Sequence, residues 1–260
     1  MSHVLTAVVP FRADSDGFRS RNAEIVVEWL RSAGVAVVVA EEAAQPDASL
    51  TLPADVNRIS IESAAAFCKA RACNAGVLAA RSPVVAIVDA DTFVSSRVLL
   101  ECARRVHEQD EVIRPFGSLI ELDATQSARA RDDGLPTFGR ANAHSDARGT
   151  EHIPATGGIF LIRRERYLSV GGMDERFVGW GGEDDAFAMA LRKSGAQLAS
   201  VTGVQAGHLW HPRSEASRYA HPHYAANRAL ALWWATASDA DIAERIEVQA
   251  EQLRPQAASS

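Results

Sequence analysis

Apolar residues along the chain gather into short runs that alternate with stretches of helical period. Val4–Val9 reads as an apolar run ending at Pro10, the pattern of a buried strand. Phe18–Ala33 then places Ile25, Val26, Trp29, Leu30 and Ala33 on one helical face, and Gly34 sits where a helix-closing glycine belongs. Val35–Val39 predicts a second buried strand, Ser63–Ala80 an alanine-rich helix, Val84–Val88 a third strand and Ser95–Gln109 a third helix. The rhythm over roughly the first 110 residues is β-α-β-α-β-α, which implies a parallel sheet covered by helices.

The texture changes at Asp123. From there to His152 the chain is polar, dotted with glycine and poor in apolar residues, which predicts a functional lid or a disordered excursion. Order returns with an apolar strand at Gly157–Ile162 and a turn at Gly171-Gly172. A glycine- and acid-rich knot, Gly179-Trp180-Gly181-Gly182-Glu183-Asp184-Asp185, opens a helix that runs to about Lys193 and closes at Gly195. Ala196–Val201 and Gln205–Trp210 read as short strands, the former open between sheet edge and loop. His221–Leu253 is helical by composition. No internal repeat and no linker divides the chain.

Composition narrows the classes. Of 260 residues, 47% are hydrophobic and 23% charged, which excludes a disordered or fibrous chain. The net charge of −6 disfavours a general electrostatic grip on nucleic acid. Lys69 and Lys193 are the only lysines among 27 basic residues, so the cations are mostly arginine, the side chain suited to two-pronged phosphate and carboxylate contacts. Cys68, Cys73 and Cys102 are odd in number and match no zinc spacing; small buried hydrophobes in a reducing compartment are expected. No signal segment is read at the N-terminus, and the longest apolar run, Val35–Ala40, is too short to span a bilayer, so a cytoplasmic protein without a transmembrane segment is expected.

Three groups of residues carry candidate chemistry. Asp89-Ala90-Asp91 follows a buried strand directly, at the end of a sheet where ligands collect. On an extended chain the two carboxylates would project to one side, with a mutual repulsion on the order of 4 kcal/mol at ~4 Å, which a divalent cation such as magnesium or manganese removes. A helix N-cap is the bland alternative. Glu183-Asp184-Asp185 at a helix start has its own bland reading, first-turn acids favoured by the helix dipole. Its approach through glycines, with Trp180 as a platform for a sugar ring, points instead to a site. His208 and His211 end an apolar strand beside Trp210 and Pro212; metal or phosphate binding competes there with a structural hydrogen-bonding role, and imidazole suits manganese better than magnesium. Arg12, after the first strand, can reach a phosphate or base edge, or remain a solvated loop residue.

Taken together, these blocks resemble glycosyltransferases of the GT-A fold, particularly the β-1,4-galactosyltransferase and polypeptide N-acetylgalactosaminyltransferase groups. Val8-Val9-Pro10-Phe11-Arg12 is similar to the galactosyltransferase opening strand with its Pro-Phe-Arg. Phe67-Cys68-Lys69-Ala70-Arg71-Ala72-Cys73-Asn74-Ala75-Gly76 resembles that family's Phe-Asn-Arg-Ala segment, with Lys69 where arginine is usual. Asp89-Ala90-Asp91 resembles the Asp-x-Asp metal motif, the block from Gly157-Gly158 through Glu183-Asp184-Asp185 the acceptor-side motif, and Gly207-His208 the late metal histidine. Gln205 stands where the galactosyltransferases carry a methionine ligand, so the metal sphere differs and His211 is a candidate to join it.

The resemblance implies an α/β, Rossmann-like mixed sheet flanked by helices. Residues 1–220 would form the transferase domain, with a nucleotide-binding half at 1–120 and an acceptor and metal half at 154–220. Residues 221–260 would form a helical C-terminal extension. It also implies that Pro10, Phe11 and Arg12 contact nucleobase and ribose, with Phe67 and Lys69 nearby. Asp89 would bind ribose or donor sugar, Asp91 and His208 would ligate Mn2+ (or Mg2+), Gly158 and Trp180 would border the sugar pocket, Glu183 would bind the sugar and Asp184 would take the acceptor proton. The implied activity is transfer of a hexose (galactose, glucose or N-acetylhexosamine) from a UDP-sugar to a glycan, lipid-linked or other hydroxyl acceptor, with inversion as in the galactosyltransferases or with retention as in the polypeptide-transferase group. The alternatives are a metal-dependent nucleotide-sugar hydrolase or nucleotidyltransferase, and a non-catalytic nucleotide-sugar-binding protein. Oligomeric state stays open.

Overall fold

A computed structural model describes residues 4–132, 134–135, 157–179, 181–212 and 221–257. Its main sheet has seven strands in the order β3-β2-β1-β4-β8-β6-β9. These are β1 (Leu5–Phe11), β2 (Ala36–Ala43), β3 (Asn57–Glu62), β4 (Val84–Val88), β6 (Val112–Arg114), β8 (Ile159–Arg163) and β9 (Leu198–Ser200). The first four strands run parallel, while β8 is antiparallel to both β4 and β6. A second, three-stranded sheet joins β5 (Thr92–Phe93), β10 (Gln205–His208) and β7 (Ser118–Glu121) in the order β5-β10-β7.

The period-2 alternation of strand side chains sorts the core into two layers. Ala7, Val9, Val84, Ala86, Val88, Ile159 and Leu161 face one way, beneath α1 (Phe18–Ser32) and α3 (Ser96–Gln109). Val8, Val85, Ile87, Phe160 and Ile162 face the other, beneath α2 (Lys69–Ala79), α5 (Arg164–Ser169) and α6 (Glu183–Lys193). The central strands are thus buried on both faces, as their unbroken apolar runs require. α1 ends at Gly34, with φ +75° and the Val35 N–H donating to the Leu30 carbonyl, as the helix-stop pattern predicts.

Several sequence expectations are corrected. The simple alternation misses β3, because Asn57-Arg58-Ile59-Ser60-Ile61-Glu62 lies at the sheet edge, half solvated, and has no apolar run to announce it. The expected helix from Ser63 begins only at Lys69. Cys68 is held extended (φ −110°, ψ 92°), and its N–H donates to the buried Glu42 carboxylate at 2.6 Å, a long-range bond that overrides local helical propensity. The polar stretch after Asp123 opens with a helix, α4 (Ala124–Asp132), in which Asp123 accepts from the Gln126 N–H and Gln126 accepts from the Asp123 N–H. Most of the remaining stretch to His152 lies outside the described residues. The tail forms α7 (Tyr224–Thr236) and α8 (Asp239–Ala257).

Candidate active site

The carboxyl ends of β1 and β4 lie side by side where strand order reverses, the place an open α/β sheet offers to ligands. β4 does not continue through Asp89-Ala90-Asp91. The Thr92 N–H donates back to the Asp89 carbonyl at 3.1 Å, closing a turn. This corrects the expectation that the two carboxylates share a side. The turn gives each acid its own partners.

Asp91 faces two imidazoles. Its Oδ1 lies 3.5 Å from His208 Nε2 and its Oδ2 lies 3.4 Å from His211 Nε2. One ligand atom from each of the three residues fits within 4.8 Å of the others. The backbone builds this cluster. His208 pairs antiparallel with Thr92 and parallel with Glu121, and the Leu209 N–H donates to the Asp91 carbonyl at 2.7 Å. Glu121 Oε2 stands 3.0 Å from His208 Nδ1, so a carboxylate backs the imidazole on the side away from Asp91. Sequence reasoning missed Glu121, since only the register of β7 against β10 brings it there. One carboxylate and two imidazoles form a mixed donor set that suits a transition ion such as manganese better than magnesium.

Asp89 turns toward the acid-rich knot. Its N–H donates to the Gly158 carbonyl (2.7 Å) and its Oδ2 accepts from the Gly158 N–H (3.1 Å), which sets Gly158 beside the turn. Its Oδ1 lies 2.9 Å from Lys69 Nζ. The same ammonium lies 3.1 Å from Asp184 Oδ2 and 3.3 Å from Asp184 Oδ1. Lys69, at the first position of α2, therefore joins two acids 95 positions apart in sequence. Phe67 adds a second tie, its carbonyl accepting the Gly179 N–H at 2.7 Å.

The electrostatics follow from this packing. Burial opposes the charge on Lys69, yet Asp184, Asp89 and Glu183 outweigh it and hold the ammonium well above the usual lysine range. Burial pushes the Asp184 carboxyl up, and although Lys69 pulls it down the net direction is upward. Glu183 is pushed up to about 7, first by burial and then by the charge on Asp184. Both carboxyls are thus displaced upward, the direction that suits a proton acceptor working near neutral pH.

In the opening block the Phe11 ring is 1% exposed and packs in the core, and Pro10 is buried with it at the carboxyl end of β1. Arg12 is half-buried at the strand end, donating to the carbonyls of Ala65 (2.5 Å) and Ser63 (3.4 Å), which ties β1 to the segment before α2. Trp180 lies outside the described residues.

A family model described as the N-terminal domain of galactosyltransferase matches residues 141–215. β-1,4-Galactosyltransferase 7 of Drosophila melanogaster is 39% identical over 51 residues, 20% of this chain and 16% of that protein. Its Homo sapiens counterpart is 40% identical over 52 residues, again 20% and 16%. The matched segment thus spans 16% of these relatives' length. A mannosyltransferase from Pyrobaculum calidifontis, solved in complex with GDP-Man and Mn2+, superposes with a TM-score of 0.54 at 17% identity, covering 99% of this chain and 75% of that one. The protein has the GT-A glycosyltransferase fold, and the segment carrying its acid-rich knot and its late histidines resembles the β-1,4-galactosyltransferases.

Proposed function

We propose that the protein is a metal-dependent glycosyltransferase that moves a hexose from a UDP-sugar to an acceptor hydroxyl, inverting the anomeric carbon. The carrying observation is the convergence at one end of the sheet. The Asp91–His208–His211 cluster and the Glu183-Asp184 pair are joined through Asp89 and a single lysine. A metal-dependent nucleotide-sugar hydrolase or nucleotidyltransferase would consume donor without an acceptor sugar, which the assay below separates.

Asp91, His208 and His211 would hold the ion, for which Mn2+ is favoured over Mg2+ by the imidazole donors and is the metal in the Pyrobaculum calidifontis complex. When bound, the ion supplies Lewis-acid neutralisation of the diphosphate leaving group. Lys69 lies between Asp89 and Asp184, where its ammonium offsets their charge and holds Asp184 in place beside the donor. Asp184 accepts the proton of the attacking acceptor hydroxyl. A single base on the face opposite the leaving group yields inversion. Glu183, next to it, binds sugar hydroxyls and is near half-protonated at neutral pH, so it both donates and accepts hydrogen bonds. Gly158, fastened to Asp89, forms one wall of the donor-sugar pocket.

The likeness to galactosyltransferases makes UDP-galactose the first donor to assay, with UDP-glucose and UDP-N-acetylglucosamine beside it. Acceptors are a panel of glycosides and lipid-linked sugars that includes xylobiose, a ligand of a related galactosyltransferase structure. UDP release that needs both Mn2+ and an acceptor, and that Asp184→Asn abolishes while Mn2+-dependent UDP binding persists, is the expected result. Donor consumption at the same rate with and without any acceptor would overturn the proposal, as would near-normal transfer by Asp184→Asn.

A further inference from the structure

The segment that leads into Glu183 and Asp184 is held from outside the sheet, by the C-terminal helices. Asn227, on the first turn of α7 and 2% exposed, grips one residue of that segment on both sides. Its Nδ2 donates to the Val178 carbonyl at 3.0 Å, and its Oδ1 accepts the Val178 N–H at 3.4 Å. A side-chain amide thus stands in for a neighbouring strand.

Two glycines of the knot fit against α7 and the residues that lead into it. Gly179 (φ +75°) lies under His221; a Cβ there would come within 1.9 Å of the His221 ring. Gly182 (φ +95°), the residue before α6, lies against the α7 backbone and Ala231; a Cβ there would meet Phe177 at 2.9 Å and Ala231 at 3.3 Å. Both positions need glycine twice over, for the backbone conformation and for the close approach. Gly182 thereby lets α7 pack closely on the knot, and Gly179 admits the His221 ring.

The surrounding contacts extend the hold. Phe177, Ala186 and Ala190 pack with Trp234 and Ile242 of the tail in one apolar cluster. Below them the buried Asp174 accepts from Trp234 Nε1 at 3.0 Å and from Arg245 at 2.8 Å. α7 therefore grips the segment before α6 and the first half of α6 together. Lys69, on α2, approaches Asp184 from the other side.

We propose that Asn227 is a positioning residue for the transfer step. By fixing Val178, it sets the start of α6 and so the direction in which Asp184 points. The nucleotide side of the site, built on β1, β4 and β10, does not depend on it. Misplacing a base by about 1 Å can cost around 100-fold in rate, so a loosened clamp acts on turnover and leaves binding of the nucleotide alone. This inference rests on the transferase reading, and its test includes a readout that survives failure of that reading.

The experiment compares wild type with Asn227→Leu, which keeps the side-chain shape and removes both bonds, and with Leu30→Ala, a cavity in the distant α1 layer that lowers global stability. Hydrogen–deuterium exchange is followed in peptides covering 177–183 and 84–91, with Mn2+ and UDP present. Steady-state kinetics use whichever UDP-sugar the wild type turns over in the panel above. Expected for Asn227→Leu is faster exchange confined to 177–183, an unchanged Kd for UDP with Mn2+, and a kcat lowered by about 10- to 100-fold. Leu30→Ala is expected to keep wild-type kcat at a temperature where it remains folded. Unchanged exchange at 177–183, or a kcat loss in Asn227→Leu no larger than in Leu30→Ala, overturns the proposal. If the wild type turns over no donor, the transferase reading fails on its own, and the exchange pattern alone decides whether the clamp exists.

Discussion

Lys69 donates to both carboxylate oxygens of Asp184, at 3.1 and 3.3 Å, while the same ammonium lies 2.9 Å from Asp89. The lysine side chain is 13% exposed and Asp184 22%, so this is a pairing with little water to screen it. Without the cation, Asp89, Glu183 and Asp184 would be three acids sharing one cleft.

Lys69→Met should therefore damage both fold and rate. Removing one partner of a largely buried pair costs about 3–5 kcal/mol in the fully buried limit, and less here because Asp184 keeps some solvent. The variant should melt several degrees lower. Loss of the cation removes what pulls the Asp184 carboxyl down, so its pKa rises and the acid limb of the rate profile moves to higher pH. Lys69→Arg should restore the limb. A pH–rate series on the three proteins checks this, and an acid limb that stays in place would contradict it.

The protein without ligand should lose stability as the solution is made more alkaline across the neutral range. Glu183 has a folded pKa of about 7 against an ordinary value of 4.5. The folded state thus binds the proton more tightly than the unfolded state. This contribution is fully present below about pH 4.5 and is lost as pH rises through about 7. Melting curves between pH 5 and 8 should show the decline, and Glu183→Gln, which cannot ionise, should flatten it.

Metal binding should depend on an outer carboxylate as well as on the ligands. Asp91→Asn and His208→Ala should each lower Mn2+ affinity with little change in melting temperature, because both residues are partly exposed at the sheet end. Glu121→Gln should lower it by about 10-fold, since a carboxylate that receives the second imidazole proton orients the ring and raises its basicity. Electron paramagnetic resonance of free Mn2+ measures all three; equal affinity in Glu121→Gln would show that His208 needs no such support.

Phe11 should behave as a core residue. Phe11→Ala should cost about 3–5 kcal/mol, the range for removing a buried aromatic ring. Phe11→Leu should keep UDP binding within error of wild type while lowering the melting temperature modestly. A selective loss of UDP affinity in Phe11→Leu would return the ring to the nucleotide site.

Local pattern was sufficient where one layer of structure dictated the residue. β1, β4 and β8 are buried on both faces, so their apolar runs are legible without partners, and α3 carries a one-sided apolar stripe with almost the predicted limits. The grouping of Asp91, His208 and His211 was legible because carboxylate and imidazole at strand ends are common metal donors, Asp91 lying just past β4, His208 ending β10 and His211 just past it. β3 and the true start of α2 were not, since an edge strand needs little hydrophobicity and the bond from Cys68 to Glu42 spans 26 positions. The burial of Phe11, the bridge from Lys69 to Asp184, the place of Glu121 and the grip of Asn227 on Val178 are decided by tertiary structure alone. Each depends on which elements become neighbours, and periodicity along a chain carries no information about the distance between residues far apart in it.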